Sequence, residues 1–233
     1  MISAAILLVA LWHPAADAAE KTMWRLEQSH ISKGKASVLF TADAVKFTTP
    51  RGGQYVSRAP LWDVYAYRTD DKTICHLTRK EFYTKMGFHP SRANDFSKVG
   101  TAVICSRPVR LLSNGQSIMS VADFPGIPPE VGDFLGAWLR EPGGGGVVLK
   151  SVAASPVTEK KIEALVLHLD QQKAATVATK SVQLVPYNRD AFTVPTGFRI
   201  VKRLEDTYYS AAGQKDLESI VEQLGVGESL GKK

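Results

Sequence analysis

The feature that most constrains the fold is a succession of short segments with strand periodicity, separated by residues typical of tight turns. Apolar and polar residues alternate along residues 62–67, and turn residues stand at 41–44, 52–53, 70–71 and 114–115. Glycine pairs and Asn-Gly supply the positive φ that hairpin turns need, and turns this short can join only antiparallel strands. The spacing therefore predicts an antiparallel sheet. The predicted strands are residues 24–27, 38–40, 45–47, 54–56, 62–67, 73–77, 101–106, 109–112, 116–122, 147–152, 162–169, 182–185 and 198–204.

Helical periodicity is confined to a few segments, so the predicted fold class is α+β. In residues 129–140, five apolar residues recur at helical spacing and form one stripe: Val131, Phe134, Leu135, Trp138 and Leu139. A second stripe predicts a helix over residues 215–224, and residues 79–86 favour a third, short helix. The glycine run at 143–146 is either a hinge for the first helix or a flexible loop.

The N-terminus predicts export. Residues 2–12 are apolar except for Ser3 and precede Ala16 and Ala18, which stand where a signal peptidase reads small residues. We expect a signal peptide over residues 1–18, a single domain over 19–225 and a flexible tail over 226–233. The expected location is periplasmic or secreted, without a lipid anchor.

The two cysteines, Cys75 and Cys105, are an even number in a chain expected in an oxidising compartment. Strand alternation places Cys75 with Leu77 and Cys105 with Val103, as if both sulfurs faced a core. We therefore predict a structural disulfide rather than a redox or metal site.

Positive charge is concentrated near the N-terminus of the expected domain. The chain has a net charge of +6, and between residues 29 and 61 only one acidic residue accompanies the basic ones. This segment is either a surface for anionic membranes or a solvated strand face. No nucleic-acid motif is present, so nucleic acid is not an expected partner. The candidate anionic-surface residues are Lys33, Lys35, Lys46, Arg51 and Arg58.

Recognisable catalytic patterns are absent from the sequence. It contains no Gly-x-Ser-x-Gly, His-Glu-x-x-His, phosphate-loop or dinucleotide-binding motif. The four histidines of the expected mature chain, His30, His76, His89 and His168, never stand three or four residues apart, so no local metal pair exists. We expect no cofactor, no metal and no enzymatic activity, and a hydrolase assembled from distant residues is the less favoured alternative.

The sequence contains more large apolar side chains than one flat sheet can bury. They indicate either an ordinary core between a curved sheet and the helix at 129–140, or an apolar cavity with the helix as its plug or lid. The candidate cavity residues are Trp24, Leu26, Phe40, Phe47, Trp62, Val64, Phe134, Leu135 and Trp138.

The order of these features resembles a known family. An exported chain opens on a tryptophan strand and continues through hairpins and a helix. It closes on a phrase of the type Phe-x-Val-Pro-x-Gly-Phe-x-x-Val at residues 192–201. This phrase, with residues 38–47, 52–53 and Trp62, is similar to the outer-membrane lipoprotein-carrier (LolA/LolB-like) superfamily. The resemblance implies a curved antiparallel half-barrel with helices packed on or plugging its concave face, and a lipid or acylated-protein cargo.

Two functional hypotheses follow. The first is a monomeric, exported protein that binds a hydrophobic small molecule, lipid or acylated protein and contacts anionic membranes transiently. The second is a cell-envelope interaction module with a filled core and no ligand, which docks a partner at a strand edge such as the one near residues 52–53.

Overall fold

The computed structural model describes residues 21–153 and 175–213, which form one large sheet with two α-helices. No helix in these two segments is long and apolar enough to cross a membrane. The predicted signal peptide, the strand at 162–169, the helix at 215–224 and the tail lie outside the described residues. The α+β class is confirmed. In chain order, the strands are β1 (Thr22–His30), β2 (Gly34–Phe40), β3 (Ala44–Thr48), β4 (Gly53–Arg58), β5 (Asp63–Arg68), β6 (Thr73–Leu77), β7 (Ser97–Ile104), β8 (Arg107–Ser113), β9 (Ser117–Ala122), β10 (Val147–Ala153), β11 (Ala175–Pro186) and β12 (Arg199–Ile200).

The sheet is open and almost entirely antiparallel. Its order is β12-β6-β5-β4-β3-β2-β1-β11-β10-β9-β8-β7, and β12 alone of these strands pairs in parallel, with β6. Hairpins at the four predicted turns join β2 to β3, β3 to β4, β5 to β6, and β8 to β9. Gly52 and Gly115 have φ of +80° and +82°, which explains why glycine stands there. The predicted strand at 198–204 is mostly wrong, because only Arg199–Ile200 is extended and a 3-10 helix follows at Leu204–Thr207.

One face of the sheet supplies the core. A single row runs across seven neighbouring strands and consists of Val182, Leu26, Val38, Phe47, Tyr55, Ala66 and Cys75. Helix α2 (Pro129–Leu139) covers part of this face with its buried stripe. The prediction for α2 is confirmed, and Arg140 ends it in the left-handed conformation.

The two helices differ in how they are fixed. Helix α1 (Arg79–Met86) has a capping box, in which Thr78 and Glu81 satisfy each other's backbone N–H groups. Helix α2 relies on close backbone packing, since a Cβ on Gly132 would lie 2.1 Å from the Gly145 oxygen. The glycine run at 143–146 therefore packs against α2, which favours a fixed loop over a hinge.

The predicted disulfide is not formed in this structure, where both cysteines are free thiols. Cys75 faces the core from β6, beside one edge of the sheet, as predicted. Cys105 instead occupies the two-residue turn between β7 and β8 at the opposite edge, with φ of +49° there and +60° at Ser106. Its Sγ donates to the Thr179 carbonyl at 3.6 Å.

Candidate functional site

A half-open pocket of about 210 Å³ lies at the C-terminal end of α2. Six segments build it: the β1–β2 turn, the β3–β4 turn, β4, the end of α1, the end of α2, and the chain after the last 3-10 helix. Its lining residues are Ser32, Lys33, Thr49, Pro50, Arg51, Tyr55, Met86, Trp138, Arg140, Tyr208 and Tyr209. We call this space the α2-end pocket.

Three cations line the α2-end pocket, and no carboxylate does among the described residues. These cations are Lys33, Arg51 and Arg140. None of them forms an ion pair with an acidic side chain in the described parts of the chain. The pocket is therefore a concave surface of one charge sign, which attracts anions.

Lys33 is the most enclosed of the three. Its ammonium donates to the Trp138 carbonyl at the end of α2 and lies 5.0 Å from the centroid of the Trp138 ring. Burial, followed by the charge of Arg140, lowers the pKa of Lys33 to about 8. The same surroundings lower the pKa of His30, mainly through burial, although the Leu139 backbone accepts a hydrogen bond from its ring. Both side chains therefore donate hydrogen bonds to carbonyl groups that the helix C-terminus leaves unpaired.

Arg51 is held by aromatic and backbone contacts in the β3–β4 turn. Its guanidinium donates to the Tyr209 hydroxyl and lies 4.6 Å from the centroid of that ring. Below it, the buried Arg68 donates to the Arg51 carbonyl at 2.6 Å and forms ion pairs with Asp70 and Asp71. This network fixes the turn that presents Arg51.

The inner wall of the pocket is apolar and continuous with the core. Trp138 and Met86 are both buried core residues. Tyr55 stacks on Phe47 with ring centroids 4.3 Å apart, and the Trp138 ring lies 4.5 Å from Phe47. Burial raises the pKa of Tyr55, so its hydroxyl stays neutral.

The predicted cavity residues all belong to one core, and they largely fill it. Phe47 packs on Phe134 at 5.6 Å between centroids, and Phe40 packs on Phe124 at 5.1 Å. Eight of the nine are buried in this cluster, and Trp24 packs against it half-buried. Only Trp138 among them also lines the α2-end pocket.

The predicted anionic-surface residues separate into two places. Lys33 and Arg51 line the α2-end pocket. Lys35, Lys46 and Arg58 lie on the opposite face of the sheet, because each is next to a residue that faces the core. Burial lowers the pKa of Lys46, which lies 5.9 Å from the centroid of the Tyr67 ring.

Sequence reasoning selected Lys33, Arg51 and Trp138 and missed the other eight residues that line the pocket. The position of Arg140, directly after the apolar stripe of α2, carried a signal, since glycine is the usual residue there. The pair Tyr208 and Tyr209 carried none, because only the fold brings them beside Arg51. The other lining residues that were missed are Ser32, Thr49, Pro50, Tyr55 and Met86.

Other candidate chemistry is sparse in the described residues. No group of three or more His, Cys, Asp or Glu is arranged to hold a metal there. His76 and Asp63 form a pair at 3.1 Å on the sheet surface, with the His76 ring stacked on Tyr65. His89 lines a separate surface pocket of about 490 Å³, and His168 lies outside the described residues.

Comparisons with known proteins identify no family. No protein-family model and no curated protein matches the sequence. Among solved structures, a similar chain is an uncharacterized conserved protein from Thermus thermophilus, which is 9% identical to this chain. The alignment covers 79% of this chain and 92% of that one, with a TM-score of 0.42. A likeness this weak establishes neither function nor family.

Proposed function

We propose that this chain is a non-enzymatic binding protein for a hydrophobic or acylated ligand, of the lipid or lipoprotein carrier or sensor type. The observation that carries the proposal is the α2-end pocket, whose apolar wall consists of buried core residues. Trp138 and Met86 belong to both the core and the pocket. Burial of an apolar group against them contributes about 25 cal/mol per Å² before ordering costs.

We also propose that the open sheet is a half-barrel of the LolA/LolB-like kind, with α2 on its concave face. Helix α2 contacts both β3 and β10, which are four strand spacings apart in the sheet. On a flat sheet this separation is about 19 Å, whereas a helix is about 10–12 Å wide. Arg107 in β8 also lies 4.1 Å from the centroid of the Trp24 ring in β1, another four spacings apart. Both contacts support the proposal that the sheet is curved.

The size of the pocket limits what it holds. An apolar cavity of about 150 Å³ accepts a benzene molecule, whereas drug-sized ligands occupy about 300–1,000 Å³. At about 210 Å³, the α2-end pocket accommodates one end of a long amphiphile. The remainder of the ligand lies outside it, which suits a protein that hands its cargo on. The proposed location remains the periplasm or the exterior of the cell.

The first test is native mass spectrometry of the protein purified from the cell envelope, followed by organic extraction. We expect an added mass that the extract returns as a lipid or acyl chain. A bare protein mass, together with no binding of a fluorescent fatty acid, would contradict the proposal.

A matched pair of variants locates the ligand. Ser32→Trp places a bulky ring at the mouth of the α2-end pocket, whereas Ser29→Trp places the same ring on the opposite face of the sheet. We expect Ser32→Trp to weaken fluorescent fatty-acid binding and Ser29→Trp to leave it unchanged. Equal affinities would place the ligand elsewhere.

One observation favours the alternative of a protein-interaction module, although not at the site first predicted. Strand β4, which begins at Gly53, is paired on both sides, so it offers no free edge. The edge strand β7 is a better candidate, since Val103 is 68% exposed and Val99 is 38% exposed. Pull-down of one stable envelope partner that Val103→Lys abolishes would support this alternative.

A further inference from the structure

We propose that the α2-end pocket binds the anionic group of an amphiphile, a phosphate or a carboxylate, through Lys33, Arg51 and Arg140. This inference rests on the proposed function and specifies its ligand class. The ligand's charged end would occupy the cationic mouth, and the adjoining apolar part would lie against Trp138 and Met86.

The positive charge of the α2-end pocket is uncompensated. Three cations converge on one small pocket without a carboxylate partner among the described residues. Mutual repulsion of like charges destabilises the folded state unless an anion offsets it. The carbonyls at the end of α2 account for Lys33, which donates to one of them. They do not account for the two arginines.

The backbone of Arg140 adopts a conformation that is unfavourable for arginine. This residue ends α2 with φ of +62°, and its N–H bonds to the carbonyls of Ala137 and Gly136. The left-handed conformation costs a non-glycine residue about 1–2 kcal/mol, and glycine is common at this position for that reason. Compared with glycine, arginine at this position makes the end of α2 less stable, but it places a guanidinium at the pocket.

The Arg51 guanidinium is preorganised for binding an anion. Tyr209 holds the Arg51 guanidinium by its hydroxyl and its ring face, and Arg68 fixes the turn beneath. A planar guanidinium donates two parallel hydrogen bonds to a carboxylate or phosphate. A side chain that is already held loses less conformational entropy when the anion binds.

The test is calorimetric titration of the delipidated protein with four probes: decyl phosphate, decanoate, 1-decanol and inorganic phosphate. We expect both charged amphiphiles to bind at least about tenfold more tightly than 1-decanol, since hydrogen bonds to charged groups are the strong ones. Arg51→Gln and Arg140→Gln are each expected to weaken decyl phosphate binding about tenfold while leaving 1-decanol unaffected. The matched controls, Lys35→Gln and Arg58→Gln, remove the same charge from the opposite face and should change neither affinity.

The outcomes separate the two proposals. If 1-decanol and decyl phosphate bind equally and the arginine variants change nothing, the anionic-group inference is overturned and the apolar-ligand function stands. If inorganic phosphate binds as tightly as decyl phosphate, the anion site is supported and the amphiphile function is overturned. If no probe binds, both fail. Thermal melts of each variant confirm that a lost affinity does not reflect unfolding.

Discussion

Replacing Lys33 with methionine should stabilise the protein while weakening its proposed site. Burial and the charge of Arg140 hold the pKa of Lys33 at about 8, whereas an unfolded lysine titrates near 10.5. Each unit of difference corresponds to about 1.4 kcal/mol, so the charged ammonium destabilises the folded state by up to ~3 kcal/mol at neutral pH. Methionine retains the apolar stem but loses the hydrogen bond to the Trp138 carbonyl, a loss of about 1 kcal/mol. We expect a net gain in unfolding free energy of about 1–2 kcal/mol at pH 7 for Lys33→Met.

The pH dependence gives this prediction its sharpest test. Because the folded pKa of Lys33 lies below the unfolded one, the folded state binds fewer protons between pH 8 and 10.5. Wild-type stability should therefore rise with pH through this window, relative to the variant, and the advantage of Lys33→Met should shrink. Urea unfolding at pH 7, 8, 9 and 10 measures the difference.

A matched control separates burial from charge. Lys35→Met changes an exposed lysine two residues away and should alter stability by less than about 0.5 kcal/mol at every pH. The reasoning about Lys33 is refuted if Lys33→Met is no more stable than wild type at pH 7. It is equally refuted if the difference between the two proteins stays constant from pH 7 to 10.

Three further expectations concern the fold. Thr78→Ala removes the capping box of α1 and should lower the free energy of unfolding by about 1 kcal/mol in urea. Gly136→Ala should destabilise by about 1–3 kcal/mol in thermal melts, because the new Cβ would lie 2.7 Å from the Glu141 carbonyl oxygen. Gly100→Ala, which meets only Leu111 at 3.6 Å, should be tolerated, and equal melting points for the two glycine variants would contradict this packing argument. Alkylation in denaturant without a reductant should add two labels, one on each cysteine. An unlabelled protein that is two hydrogens lighter would instead show that the disulfide has formed.

The local part of the fold was predictable because the signals act over a few residues. The Asn114 side-chain oxygen accepts hydrogen bonds from the backbone N–H groups of Gln116 and Ser117, at 3.0 and 2.9 Å. Gly115 supplies the positive φ of the turn. The apolar stripe of α2 was equally direct. The pairing of β1 with β11 was not predictable, since these strands meet across about 150 residues and periodicity does not specify a distant partner.

The direction assigned to the Cys105 side chain was wrong for a related reason. Alternation in residues 103–105 assumed that the strand continues through Cys105, but the chain reverses there in a hairpin turn. Cys105 and Ser106 both adopt positive φ although neither is glycine, asparagine or aspartate. A turn built from such residues carries no compositional signal, so the direction assigned to the sulfur was wrong.

The candidate site was harder to predict than the core because the two depend on opposite properties. Apolar periodicity reports burial, and it selected residues such as Phe40, Phe47 and Phe134, which fill space against one another. A ligand site needs space that is left unfilled and charge that is left unpaired, and neither follows from periodicity. What the sequence does contain is a cation where a helix normally ends in glycine. Arg140, directly after the stripe of α2, is less stable in the left-handed conformation than glycine would be. Residues that lower local stability in this way concentrate at functional sites. Together with Lys33 and Arg51, which line the same pocket, Arg140 makes the α2-end pocket, rather than the filled core, the place where ligand binding should be tested.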